Sequence, residues 1–211
     1  MVVVQVAVLG ATGGTGRLLV GELLRRGHEV VALVRDPSTA GLPEAVRTVH
    51  GTARDRGAAG ALLVGGDAVV SALGPRRGDT TLHREAAAVL VDAMRLSGVR
   101  RFVGVSGAGV DVPGDAKRRR DRVISALVQR LGGEGVRDKA LEQQVWAASG
   151  LDWTLVRPPR LRDGPATGRV EHSASSSARA TSITRADLAS FVVDCAEQGW
   201  YVGAAPLVAK G

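Results

Sequence analysis

The densest chemical signal in the sequence is Gly10-Ala11-Thr12-Gly13-Gly14-Thr15-Gly16. It follows an apolar, β-branched run, VVVQVAVL at residues 2–9, and precedes RLLVGELLRR at 17–26, where Leu18, Leu19, Leu23 and Leu24 share one helical stripe. Glycine at 10 permits a tight turn out of a strand. Glycine at 13 lets a pyrophosphate approach the backbone, and glycine at 16 lets the helix pack closely on a sheet. The helix N-terminus would present free N–H groups and a positive dipole end to phosphates, with Thr12, Gly14 and Thr15 completing the cradle.

A second signal stands at the end of the next apolar run, HEVVALV at residues 28–34. A carboxylate at that point would hold the ribose hydroxyls of NAD. This chain has Arg35, which suits a 2′-phosphate through paired, charge-assisted hydrogen bonds. Arg17, in the first helical turn, could assist it, whereas Asp36 points to the other side of the strand end. The cofactor expected is therefore NADP(H). The alternative for Arg35 is a solvated charge at a strand end.

These residues require elements to position them. Strands are predicted at 2–9, 28–34, 45–50, 67–73, 101–105 and 152–156, and helices at 17–26, 55–64, 81–97, 138–149 and 185–197. Strands alternating with helices imply crossover units and a parallel sheet. The expected fold class is α/β, a doubly wound parallel sheet (Rossmann fold), as one domain over residues 1–211. Its segment from about 157 to 211 should face the substrate. Residues 107–135 read as a loop plus a basic helix over 118–130, and 166–182 as irregular chain. Ligands lie across the carboxyl ends of such strands. Thr52 and Ala53 should then border the adenine, and Ala72, Leu73 and Gly74 the cofactor ribose. Ser106 and Gly107 should approach the nicotinamide, with Arg157 and Pro158 on its other side.

Composition narrows the classes. The chain has 211 residues, 45% apolar and 23% charged, enough for a substantial core without the lone Cys195. Aromatics at 3% argue against stacking platforms for single-stranded nucleic acid. No apolar run approaches the length of a membrane span. The first charge is Arg17, which is not the basic start of a secretory signal, so a cytoplasmic location is expected. Net charge is +7, but only three of the 28 basic residues are lysines, so the balance does not by itself argue for DNA. The dense run Lys117–Arg122 reads as a solvated helix face. A small-molecule partner is expected, no membrane, and a homo-oligomer stays open.

GATGGTGR, GHEVVALVRDP, DAVVSALG, GVRRFVGVSGAGV, SGLDWTLVRPP and ITRADLASFV together resemble the atypical short-chain dehydrogenase/reductase family, across about residues 3–197. Within it the sequence is most similar to the compact NAD(P)H-binding branch of biliverdin IXβ/flavin reductases and NmrA-like proteins. The resemblance implies the same fold and cofactor, and a reductase or a redox sensor. The wider family uses a Tyr-x-x-x-Lys pair. Lys139 matches the lysine, but Gly135 stands four residues earlier, and the chain's one tyrosine is Tyr201. Thr52 replaces the family's usual aspartate beside the adenine.

The catalytic candidates are Ser106 and Lys139. Ser106 would hydrogen-bond the carboxamide or the acceptor; the alternative is capping the loop after its strand. Lys139 would hold the nicotinamide ribose or support a growing anion; the alternative is a salt bridge to Asp138 or Glu142 on an exposed helix face. His83 reads as a surface histidine or a rim acid, and Arg160 and Arg162 as solvated loop residues or contacts to an anionic substrate. No histidine pair has metal-ligand spacing and no CxxC occurs, so no metal site is expected. Without the phenol donor, an unactivated ketone is a poor acceptor, whereas a flavin, quinone, tetrapyrrole or polycyclic biosynthetic intermediate spreads its own charge. The expectation is an NADPH-dependent reductase of such a planar acceptor. The alternative is a non-catalytic NADP-binding sensor.

Overall fold

A computed structural model describes residues 4–74, 78–131, 133–176 and 179–211. Residues 2 and 3 of the first predicted strand, and residues 177 and 178 of the predicted irregular stretch, lie outside the described residues. Six parallel strands form the central sheet: β1 (Gln5–Leu9), β2 (Glu29–Val34), β3 (Arg47–His50), β4 (Ala68–Ser71), β5 (Arg101–Val105) and β6 (Asp152–Val156), in the order β3-β2-β1-β4-β5-β6. The order reverses between β1 and β4, and that reversal opens a crevice at the carboxyl ends of these two strands.

Helices cover both faces, so strand interiors read as continuous apolar runs. Val6 and Val8 of β1 point toward α1 (Gly14–Arg25) and α6 (Arg185–Gln198), packing with Leu19, Leu23, Leu188 and Val192. Ala7 and Leu9 point the opposite way, toward α2 (Arg56–Leu62), α3 (Leu82–Ser97) and α5 (Gly133–Ala147), packing with Leu62, Leu90, Met94 and Trp146. Trp146 lies flat on Phe102 of β5, ring centroids 3.6 Å apart. α4 (Arg119–Leu131) precedes α5 and packs on it.

The carboxyl-terminal region departs from expectation. Residues 160–162, read as solvated loop, form β7 (Arg160–Arg162), which pairs in parallel with β9 (Ser182–Thr184). The stretch 166–182, read as irregular, contains β8 (Val170–Ser173), paired antiparallel with β10 (Leu207–Lys210). Such short strands carry little apolar alternation of their own; a partner far along the chain decides them. Helix α5 also starts earlier than predicted, at Gly133.

Candidate functional site

Two cavities lie along the carboxyl edge of the sheet. The first, about 320 Å³, runs over β1, β2 and β4. Gly10, Thr12 and Gly13 form one end, Arg35, Thr52 and Ala53 another, and Ala72, Leu73 and Gly74 a third side. The geometry explains the glycines. Gly10 has φ +73°, and a Cβ there would stand 2.6 Å from Ala72 O. A Cβ on Gly16 would stand 1.9 Å from Gly10 O, so only glycine lets α1 lie this close to β1. Gly13 caps α1 without a side-chain hydrogen bond, and the first turn holds no acidic residue. The amides of Gly14, Thr15 and Gly16 belong to that first turn, which has no carbonyl partners one turn earlier. A dinucleotide's diphosphate fits this cradle by charge and by the room the missing side chains leave.

Arg35 is exposed, lines the cavity and makes no ion pair among the described residues. Asp36 turns away to accept from Ser38 N at 2.9 Å and Ser38 Oγ at 2.6 Å, as its position after the strand suggested. Arg17 is engaged elsewhere, donating to Gly41 O at 2.6 Å and Ala40 O at 2.9 Å, which corrects its expected help at the 2′-phosphate.

Sequence reasoning missed two arginines here. Arg54 lines the cavity and grips Asp79 with both terminal guanidinium nitrogens, at 2.7 and 2.6 Å. Arg185, first residue of α6, lies over the start of α1: a Cβ on Gly14 would stand 3.4 Å from its Nε. Its Nη1 donates to Asp163 at 2.5 Å, and that carboxylate offsets part of the cation's repulsion from the positive end of the helix. ITRAD carried the signal, since Thr184 accepts from Asp187 N at 3.0 Å and so fixes where α6 begins.

The second cavity, about 460 Å³, lies past β5 and β6. Ala108, Gly109, Pro158, Pro159, Arg160, Leu207 and Val208 are among its walls. Arg157 corrects an expectation. Its guanidinium is fully buried and bound to Asp115 at 2.7 and 2.6 Å, Val110 O at 2.8 Å and Ala205 O at 2.7 Å. It ties the loop after β5 to the segment that leads into β10 and has little left to cover a nicotinamide. Lys117 is another correction: the first residue of the basic run is buried and donates to Ala108 O at 2.7 Å and Ser125 Oγ at 3.0 Å.

Ser106 directly follows β5 and is not among the residues that line either cavity. Its N–H donates to Val156 O at 2.8 Å, and its buried Oγ has no partner among the described residues. Lys139 donates to the adjacent Val105 O at 3.1 Å. The exposed salt bridge considered for Lys139 is not what forms, because α5 turns this face inward against α3. Asp138 is buried and instead accepts from His83 N at 2.7 Å and Arg84 N at 3.3 Å, capping α3. Burial lowers the Lys139 pKa. It pushes the Glu142 carboxyl up to about 7. His83 is neither a surface residue nor a rim acid. It is buried 3.9 Å from Glu142, and burial, then the Lys139 charge, push its pKa down to about 3.

The profile of a family described as NAD(P)H-binding matches residues 10–199. A curated relative, the 3-diazoavenalumate denitrifying reductase of a Streptomyces species, is 37% identical over 132 residues, covering 52% of this chain and 40% of that protein. An uncharacterised chloroplast protein of Arabidopsis thaliana is 32% identical, covering 79% of this chain and 62% of that protein. The chain thus spans less than two thirds of either relative. A solved short-chain dehydrogenase/reductase of Veillonella parvula in complex with NADP superposes with a TM-score of 0.82 at 19% identity, covering 99% of this chain and 95% of that one, a likeness of fold.

Proposed function

Since the chain belongs to the NAD(P)H-binding family, we propose that it is an NADPH-dependent reductase of a planar, conjugated small molecule. The observation that carries this is the first cavity, with uncapped α1 amides at one end and, at the other, Arg35, which is unpaired among the described residues. Gly13, Gly14, Thr15 and Gly16 hold the diphosphate, with Arg185 adding a cation, and Arg35 selects the 2′-phosphate. Thr52 and Ala53 flank the adenine, and Ala72, Leu73 and Gly74 the ribose. Ser106 and Lys139 stand at the nicotinamide end, and Pro158 faces them from the loop after β6.

When bound, the nicotinamide supplies the hydride. The unpartnered Ser106 Oγ orients the carboxamide or the acceptor. Lys139, held on Val105 O, keeps a cation beside the charge that grows on reduction. Gly135 leaves no phenol above Lys139, so the proton comes from water, which suits an acceptor that delocalises its own charge. Residues 157–211 form the substrate side. The single cysteine, Cys195, is free and buried, as suits action in the cytoplasm.

NADPH consumption, followed by its near-ultraviolet absorbance, tests the reading. Flavin mononucleotide and a quinone should be reduced and simple ketones should not. Turnover of the ketones alone would reject the planar acceptor. NADPH binding without turnover of any of them would favour the sensor reading, which the glycine at 135 also fits.

A further inference from the structure

The wall of the first cavity suits a polyanion except at one point. Among its described lining residues Arg35 and Arg54 are the cations, and Asp79 is the single carboxylate. A carboxylate in the wall of a site for a phosphorylated ligand repels that ligand, unless it meets a hydrogen-bond donor.

Asp79 is held in one orientation. Its Oδ2 accepts from Arg54 Nη1 at 2.7 Å, and its Oδ1 accepts from Arg54 Nη2 at 2.6 Å and from Thr81 N at 3.4 Å. Arg54, from the segment after β3, is fixed in turn by donating to Thr81 Oγ1 at 2.9 Å and to Glu85 at 2.5 Å. Planar, bidentate pairing sets the direction of both partners. The Asp79 side chain is only 17% exposed, so water screens its charge little. A carboxylate offers about four lone-pair positions, and an arginine and a further donor can share it.

The place of Asp79 along the cavity selects that donor. Arg54 directly follows Thr52 and Ala53, the residues assigned to the adenine, and Asp79 is clamped to it. The adenosine half of NADPH carries two kinds of donor: the exocyclic amine of the base, and the ribose hydroxyl beside the 2′-phosphate. A carboxylate at that hydroxyl would stand against the phosphate, whereas one at the edge of the base meets no like charge.

We infer that Asp79, held by Arg54, accepts a hydrogen bond from the exocyclic amine of the cofactor's adenine and so selects adenine over a base with a carbonyl at that position. The inference rests on the proposed reading of the first cavity as the cofactor site, and it adds a residue that reads the base.

NADP⁺ and its hypoxanthine analogue differ in the base alone, where a carbonyl replaces the amine. Each is titrated by calorimetry with no acceptor present, so binding is read without turnover. The natural chain should bind NADP⁺ at least about tenfold tighter, within the range of a hydrogen bond to a charged group. Asp79→Asn keeps the size and offers the base both an acceptor and a donor, so the gap should shrink below about threefold. Glu85→Gln removes the other carboxylate on Arg54, one that does not line the cavity, and should keep the gap. Equal affinity of the natural chain for the two dinucleotides overturns the inference and leaves the cofactor reading standing. A gap that survives Asp79→Asn also overturns it, as does a gap lost equally in Glu85→Gln, where the order of Arg54 and not the Asp79 hydrogen bond would carry it. Binding of neither dinucleotide rejects the cofactor reading and the inference with it.

Discussion

Two arginines, one lining the first cavity and one over the start of α1, are assigned different parts of one molecule, and their substitutions should separate. Among the described residues Arg35 has no carboxylate partner, and it is proposed to meet the 2′-phosphate; Arg185, paired with Asp163, lies against the start of α1, the proposed place of the diphosphate that both nucleotides carry. By calorimetry, Arg35→Ala should weaken NADPH by about 10- to 100-fold and leave NADH within about twofold, the range of a charge-assisted hydrogen bond. Arg185→Gln should weaken both by a similar factor of about ten. Equal losses on removing Arg35 would reject its assignment. Arg35 was legible from its place after β2. Arg54 was not, because its partner Asp79 lies 25 positions later and only folding joins them.

At the scale of elements, the contact between β1 and α1 governs the site. A methyl group on Gly16 meets Gly10 O, which is backbone and cannot rotate away, so α1 must shift from the sheet. Gly16→Ala should abolish measurable cofactor binding and cost about 1–3 kcal/mol in denaturant unfolding, as overpacking does. Unchanged binding would mean that the close approach is not needed for the cradle. Helix starts are also set from outside. Asp138 of α5 caps α3, and Asp187 of α6 holds Thr167 N at 2.7 Å and Gly168 N at 3.0 Å, anchoring the loop that leads to β8. Neither cap partner is a local sequence pattern: 55 residues separate Asp138 from His83.

Across the whole molecule, two buried groups oppose each other in pH. Glu142 keeps its proton in the folded state up to about 7, whereas the unfolded chain loses it near the ordinary 4.5. The native state then binds more protons in that window, so stability falls as pH rises, by roughly 3 kcal/mol in full. His83 titrates at about 3 when folded and near 6.5 when unfolded. There the unfolded chain binds more protons, so this contribution is full above about 6.5 and is lost as pH falls toward 3. The two windows overlap between 4.5 and 6.5 and nearly cancel. Urea unfolding should therefore show a flat profile there for the natural chain and a steady rise with pH for Glu142→Gln. The same flat profile in that variant would mean that burial shifts neither His83 nor Glu142.

What the amino-acid sequence determined alone is the layered α/β architecture and the residues that gather around the first cavity. Apolar runs, glycine spacing and the arginine after β2 are signals written within a few consecutive residues, and local chemistry suffices to read them. Tertiary structure alone decided the rest. Arg157 became a buried tie to Asp115, His83 and Glu142 became neighbours, and residues 170–173 became a strand by pairing with 207–210. Each of these depends on groups that meet only when distant segments pack, and desolvation and ion pairing act on distance in space, not on separation along the chain.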